Sequence, residues 1–336
     1  MALSHPVPPL PVTRPRPALK LVKTHNLSRA LWLDVRKQGI GSSDAAAAVG
    51  LNPYKSPLEL WLEKTGRDSN LPKVDPHDEE SPLYWGTLLE PIVAAHYTKR
   101  TGHRVRRINA VLQHPDADKH WMLANIDREI IGVPDVHVLE CKTAGINGAR
   151  LWKDGVPEYV QLQVMHQLAV TGKRAADVAV LIGGQHLEIH RLERDDLLIG
   201  RLIELERRFW HYVETDTPPS ADGSESADTA LKALYPCDSG TTVDFSDDRN
   251  LSATFADWLS IRQTLVDTEA IEAKLKQTLQ QAMGDASKAL FETGAVTWKK
   301  AKDSMGLDIT QLLKDYPEFQ QRYATTKPGS RRFLVA

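Results

Sequence analysis

The chain has 336 residues, 41% hydrophobic and 26% charged, with a formal net charge of −2. That length supports a sizeable core in one large domain or two modest ones. No apolar run approaches the ~20 residues needed to cross a bilayer, and no secretory signal is legible. Cys141 and Cys237 cannot build a disulfide framework or a four-cysteine metal site. A cytosolic chain with no membrane role is expected. Near-neutral charge excludes a generic nucleic-acid coat but not a basic groove set against an acidic site.

Residues 1–23 are proline-rich (PVPPLPVTRPRP) and read as a flexible tail. The patterned region 24–214 is the expected main domain. It opens with a helix near 27–38, then a short helix over GSSDAAAAVG with Ser42 or Ser43 as its cap and Gly50 at its end. Ser56-Pro57-Leu58-Glu59 has the form of a capping box with proline at the first helical position, closed by Gly66. WGTLLEPIVAAHYTKRTG predicts a helix ending at Gly102, with Pro91 in its first turn. Strands are expected at 103–113, 120–131 and 135–143, and an amphipathic helix at 157–171. A hairpin of 177–183 and 186–192 over Gly183-Gly184 and a charged helix at 194–214 complete the domain.

This order predicts an α/β fold, more closely an α+β mixed sheet, single and flanked by helices. Residues 215–249, opening with TDTPPSADGSESAD, have the composition of a linker. In 250–336, Phe255, Trp258, Leu265, Ile271, Leu275 and Leu279 fall near helical spacing and predict an amphipathic helix or helical hairpin over 250–283. Strand-like AVTWKKA and RRFLVA, with a short helix near 308–315, make the rest a small α/β extension.

Chemistry concentrates at Asp127 and Glu140-Cys141-Lys142. With a strand period of two, Glu140 and Lys142 share one face while Cys141 turns to the core. Carboxylates beside a lysine suit metal-assisted phosphodiester hydrolysis: hard oxygen donors hold Mg²⁺, and the ammonium meets developing negative charge. Alone, an E-x-K triplet is more often a salt bridge on an edge strand. Basic clusters at Lys99–Arg107, at Arg207-Arg208 beside Phe209 and Trp210, and at Lys327–Arg332 each read first as solvated surface. His114, His120, His137 and His166 lack zinc spacing, and no phosphate-binding G-x-x-x-x-G-K-[ST] loop occurs.

Four motifs over about 28–172 give the triplet company. They are Arg36-Lys37-Gln38-Gly39-Ile40-Gly41-Ser42-Ser43-Asp44; Trp85-Gly86 with Glu90; Asn125-Ile126-Asp127 with Glu140-Cys141-Lys142; and Gln161-Leu162-Gln163. In this order they resemble the YqaJ and phage lambda exonuclease family of viral recombination nucleases, within the PD-(D/E)XK superfamily. The resemblance implies a restriction-endonuclease-like core, with Asp127, Glu140, Glu90 and the Cys141 backbone carbonyl as metal ligands. It implies Lys142 as the catalytic lysine, Gln161 as the glutamine near the site, and Arg36 with Ser43 as the phosphate grip. Mg²⁺, as two ions, with Mn²⁺ able to substitute, is the implied cofactor.

The same resemblance implies 5′-to-3′ exonuclease action on linear double-stranded DNA, leaving 3′ single strands for a single-strand annealing protein. It also implies a ring-shaped homotrimer and a phage or prophage source in a bacterial cytoplasm. Two departures stand out. Asn125-Ile126-Asp127-Arg128 replaces the phage enzyme's S-P-D-G, and an upstream acid of that enzyme has no clean counterpart, Asp116 and Asp118 both falling nearby. Alternatives are a structure- or site-specific endonuclease on the same fold, or a non-catalytic DNA-binding or assembly protein.

Overall fold

The computed structural model describes residues 17–335 except Val74, Lys327, Pro328 and Ser330. The expected tail at 1–16 and part of the last basic cluster lie outside the described residues. Two compact units divide the chain, one ending at Pro236 and the other beginning at Cys237.

The first unit runs β1 (Leu19–Lys23), α1 (Arg29–Lys37), β2 (Ile40–Gly41), a 3₁₀ turn (Ser42–Asp44), α2 (Ala45–Ala48), α3 (Pro57–Lys64), α4 (Pro82–Thr101), β3 (Arg104–Arg106) and β4 (Ala110–Gln113). It continues with β5 (Met122–Ala124), β6 (Arg128–Ile131), β7 (Val138–Ala144), α5 (Glu158–Thr171), β8 (Ala175–Ile182), β9 (His186–Glu193), α6 (Asp196–Glu214) and α7 (Glu225–Leu234). A five-stranded sheet has the order β3-β6-β7-β8-β9, in which only β7 and β8 are parallel, joined by the α5 crossover. Val138, Ala176, Val178 and Val180 pack with Val160, Val164 and Leu168 of α5 and Phe209 of α6. On the opposite face Leu139, Ala175, Ala179 and Leu187 meet Val93, Ala94 and Tyr97 of α4. The central sheet is thus flanked by helices on both faces.

The expected single sheet is two. A smaller one, β1-β4-β5-β2, takes the last part of the 103–113 segment and the first part of the 120–131 segment, because the chain changes sheets between Arg106 and Ala110 and again between Ala124 and Arg128. Its edge strand β1 pairs with β4 and lies inside the stretch expected to be tail. Helix α4 begins at Pro82, where the Ser81 hydroxyl accepts the Leu83 N–H at 3.2 Å. Ser-Pro is the stronger start signal, so Pro91 lies in the helix interior and forgoes one helical hydrogen bond.

Neither Ser42 nor Ser43 caps the first short helix; the Asp44 carboxylate accepts the Gly41 N–H at 3.1 Å instead. Residues 224–234, expected as linker, cap and form α7, which buries Ala227, Ala230 and Ala233 within the first unit. The expected hairpin turn stands: Gly183 and Gly184 have φ of 59° and 73°, open to glycine without a steric cost.

In the second unit α8 (Arg249–Met283) is one continuous helix, not a hairpin, capped by Asp248. A two-stranded sheet of β10 (Lys288–Phe291) and β11 (Gly294–Thr297) follows, then α9 (Ile309–Asp315) and α10 (Glu318–Tyr323). Residues 331–335, expected as a strand, have no strand partner among the described residues.

Candidate active site

The β6–β7 ladder pairs Glu129 with Val138 and Arg128 with Leu139, and there it stops. One step further, Asp127 and Glu140 would be opposite. Instead the chain is arriving from the smaller sheet, the strands part, and the Asp127 carboxylate accepts the Cys141 N–H at 2.8 Å. A side chain thus takes a backbone donor that the opened ladder would leave unpaired. Strand β7 keeps its pairing with β8 throughout, so Glu140 and Lys142 are held rigidly on one face of the sheet. Cys141 faces the other way, against the α4-side core.

Glu140 is 3% exposed, and every oxygen is satisfied. Its Oε1 accepts from Gln163 Nε2 at 2.6 Å and lies 2.9 Å from Lys142 Nζ. Its Oε2 accepts from Gln167 Nε2 at 2.7 Å. Gln163 Oε1 in turn accepts from Lys142 Nζ at 2.8 Å, closing a three-membered ring of hydrogen bonds. Gln163 and Gln167 are i and i+4 on α5, one face of the helix. Gln161, two residues away and rotated by about 200°, donates to the Val156 carbonyl at 2.6 Å and does not join the ring. Two glutamines on the apolar face of a helix are the signal that could have drawn attention to Gln163 and Gln167.

Glu90, on α4, accepts from Arg128 at 2.5 Å and from Arg107 at 3.4 Å. Its negative charge reaches Asp127 but its carboxylate is turned to the two arginines. Burial, then the charge of Glu140, pushes the Asp127 carboxyl up to about 8, with Glu90 adding to the effect. Burial works against the Lys142 ammonium, yet Glu140 and Asp127 hold its pKa above the usual lysine value. Burial and the neighbouring carboxylates keep the Cys141 thiol neutral.

A second cluster is built on α1, the 3₁₀ turn and α3. Arg36 donates to the Ser43 hydroxyl at 2.7 Å and pairs with Asp44 at 2.7 Å. Buried Lys64 donates to Asp44 Oδ2 at 2.7 Å and to the Arg36 carbonyl at 2.8 Å. Burial alone would raise the Asp44 pKa; Arg36 and Lys64 outweigh it and hold the carboxyl well below its usual range. A Cβ on Gly41 would stand 3.2 Å from the Asp44 carboxylate and 3.3 Å from the Arg36 guanidinium, so a larger residue would crowd this pair. With two cations, one anion and exposed Ser43, the cluster is net positive and suits an anion.

The two clusters share one backbone group. The Asn125 carbonyl accepts from Ser42 Oγ at 3.5 Å and from Gln167 Nε2 at 3.2 Å. The Ser42–Asp44 turn and the carboxylate ring therefore meet at the segment that delivers Asp127. Asp116 and Asp118 belong to neither; they lie in the β4–β5 turn with Lys119 and Arg207. His166, fully buried, bonds Glu206 and the Leu123 carbonyl.

Mg²⁺ takes hard oxygen donors. Asp127 and Glu140 are hard oxygen donors, and burial, with the charge of Glu140 added to it, raises the Asp127 pKa. Among the described residues no three His, Cys, Asp or Glu side chains converge on one point. Mg²⁺ does not require that, since it keeps several waters and is held through one or two carboxylates plus substrate phosphates. The residues fit.

Residues 31–174 match the YqaJ-like viral recombinase domain. The uncharacterized protein YqaJ of Bacillus subtilis (strain 168) is 34% identical over 312 residues, covering 90% of this chain and 92% of that protein. The alkaline exonuclease LHK-Exo from Laribacter hongkongensis is similar over 56% of this chain and 93% of its own, at 21% identity and a TM-score of 0.46. A phage related exonuclease from Haemophilus somnus 129PT is similar over 55% of this chain and 99% of its own, at 8% identity and a TM-score of 0.37. On the sequence match across nearly its whole length, this chain belongs to the YqaJ-like viral recombinase family.

Proposed function

We propose that the chain is a Mg²⁺-dependent exodeoxyribonuclease that degrades one strand of linear double-stranded DNA from its 5′ end. The observation that carries this reading is the Asn125 carbonyl, shared between Ser42 of the turn that bears Ser43 and Gln167, which holds Glu140. A terminal 5′-phosphate bound by Arg36 and Ser43 would present the next phosphodiester to Asp127, Glu140 and Lys142.

Asp127 and Glu140, with Glu90 and the Cys141 carbonyl as further oxygen donors, would hold the metal. Two Mg²⁺ ions, or Mn²⁺ in their stead, polarise a phosphodiester and lower the pKa of an attacking water when bound. Lys142 stays protonated and donates toward the negative charge that develops on the phosphate. Gln163 fixes the ammonium and the Glu140 carboxylate relative to each other. Water oxygen adds to phosphorus as the bond to the 3′ oxygen breaks, and that oxygen takes a proton. The products are a 5′-mononucleotide and a strand with a new 5′-phosphate, which Arg36 and Ser43 can take up again.

The exposed 3′ strand would pass to a single-strand annealing protein, and a homotrimeric ring around DNA would sustain processive action. The test is digestion of linear duplexes bearing 5′-phosphate or 5′-hydroxyl ends with Mg²⁺, followed by sizing of products. Mononucleotides released faster from phosphorylated ends, with activity lost in Asp127→Ala and Lys142→Ala and in EDTA, support the reading. Cutting of closed circular DNA with linear DNA untouched refutes it.

A further inference from the structure

Beside the helix α5 that holds Glu140 the chain presents an exposed tyrosine. Tyr54 lies in the loop ahead of α3 and is 65% exposed. Its ring meets Tyr159 edge to face, with centroids 5.8 Å apart and planes at 89°. This loop is held in shape: Asn52 Oδ1 accepts the backbone N–H of Tyr54 at 2.8 Å and of Lys55 at 3.2 Å, and Lys55 pairs with Glu63 at 2.6 Å. Tyr54 is therefore displayed on a fixed turn. Tyr97 makes the contrast: its ring is fully buried and its hydroxyl bonds Asp177 at 2.6 Å, an ordinary core tyrosine.

The location is specific. Tyr159, Gln163 and Gln167 stand at i, i+4 and i+8, one stripe of α5, and the two glutamines hold Glu140. Tyr159 is close enough to Lys142 for the ammonium to act on its hydroxyl. Tyr54 lies in the loop between α2 and α3, so it follows the turn that bears Ser43 and precedes the helix that bears Lys64. The aromatic pair thus joins the α5 stripe that holds Glu140 to the chain segment between Asp44 and Lys64. Tyr54 stays largely exposed beside Tyr159, and every nucleobase offers a flat π surface to such a ring.

We infer that Tyr54, packed at a right angle against Tyr159, is a stacking platform for the base of the 5′-terminal nucleotide. The inference rests on the nuclease reading for the placement of that nucleotide between grip and ring. Stacking of this kind tolerates any base, so it would bind the unit to be released without sequence preference.

The experiment compares wild type, Tyr54→Ala and Tyr54→Phe on 5′-phosphorylated duplexes whose terminal nucleotide is normal or abasic. Tyr54→Ala is expected to lower kcat/KM about 5- to 100-fold on the normal end and to change little on the abasic end. Tyr54→Phe, which keeps the ring, should behave as wild type. In parallel, 2-aminopurine at the terminal position is titrated in EDTA, and its fluorescence should be quenched by wild type but not by Tyr54→Ala.

Equal losses on normal and abasic ends, no loss on either, or quenching that survives Tyr54→Ala would overturn the platform. If wild type quenches 2-aminopurine through Tyr54 yet hydrolyses no DNA with any divalent cation, the platform stands and the nuclease reading fails. Hydrolysis with Tyr54-independent quenching sinks the platform alone. Because Tyr54 is exposed, its truncation leaves the core intact, which circular dichroism checks.

Discussion

Lys64 Nζ lies 2.7 Å from Asp44 Oδ2, and both groups are buried beneath the Arg36 guanidinium. A buried lysine and aspartate tolerate the loss of water only as a pair, so each fixes the other. The same ammonium holds the Arg36 carbonyl, which ties the backbone of α1 to the Ser42–Asp44 turn. Asp44→Asn should therefore destabilise the chain by about 3–5 kcal/mol by stranding Lys64. The folded pKa of Asp44 lies below its unfolded value of ~3.9. Its contribution is thus present above that pH and is lost as pH falls further. Urea melts from pH 7 down to 3 should show a steep acid limb in wild type and a shallower one in Asp44→Asn. Parallel limbs would contradict the assignment.

Gln163 bonds Glu140 and Lys142 at once, whereas Gln161 bonds a loop carbonyl. Replacing groups that orient a metal site commonly costs 10- to 100-fold in metal affinity or activity. Gln163→Leu is expected to lose on the order of that much activity on linear duplex, with its circular dichroism unchanged. Gln161→Leu should stay near wild type. The reverse ranking, measured under identical Mg²⁺, would assign the positioning role to Gln161.

His166 Nδ1 is 2.7 Å from Glu206 and Nε2 is 2.9 Å from the Leu123 carbonyl, so both ring nitrogens face acceptors. Two acceptors call for an imidazolium. Burial opposes that charge, but Glu206 outweighs it and raises the His166 pKa above its usual value. Stability from the pair is thus fully present below the unfolded pKa of ~6.5 and is lost as pH rises through the folded value. Glu206→Gln should cost about 3–5 kcal/mol near pH 6 and progressively less in alkali. A difference that grows with pH would show a neutral imidazole instead.

Ser226 of α7 completes the N-terminus of α3. Its hydroxyl accepts the Ser56 N–H at 2.7 Å and donates to Glu59 Oε2 at 2.5 Å. Glu59 does not reach back to Ser56 itself; the tertiary partner stands between them. Ser226→Ala should cost about 1–3 kcal/mol, since it leaves a partly buried N–H and carboxylate unpaired. Thermal melts of the variant check this, and an unchanged Tm would mean that water replaces the hydroxyl.

By itself the amino-acid sequence determined the local elements whose signals are local. Ser56-Pro57 starts α3, Gly183-Gly184 turns the hairpin, and period-two alternation sets Glu140 and Lys142 apart from Cys141. Motif order also carried the family. What tertiary structure decided were relations between segments far apart in the chain. No local pattern splits strand segments between two sheets, because the partner strands lie far off in the chain; residues 224–234 carry a local helix signal in the Ser224 cap, but their packing on α3 is a tertiary contact. The choice of Gln163 over Gln161 depends on the rotation of α5 over β7, and Lys64 finds Asp44 only when α3 packs on the turn. Buried polar groups take whichever partner the packed chain brings within reach, and that reach is set by the fold.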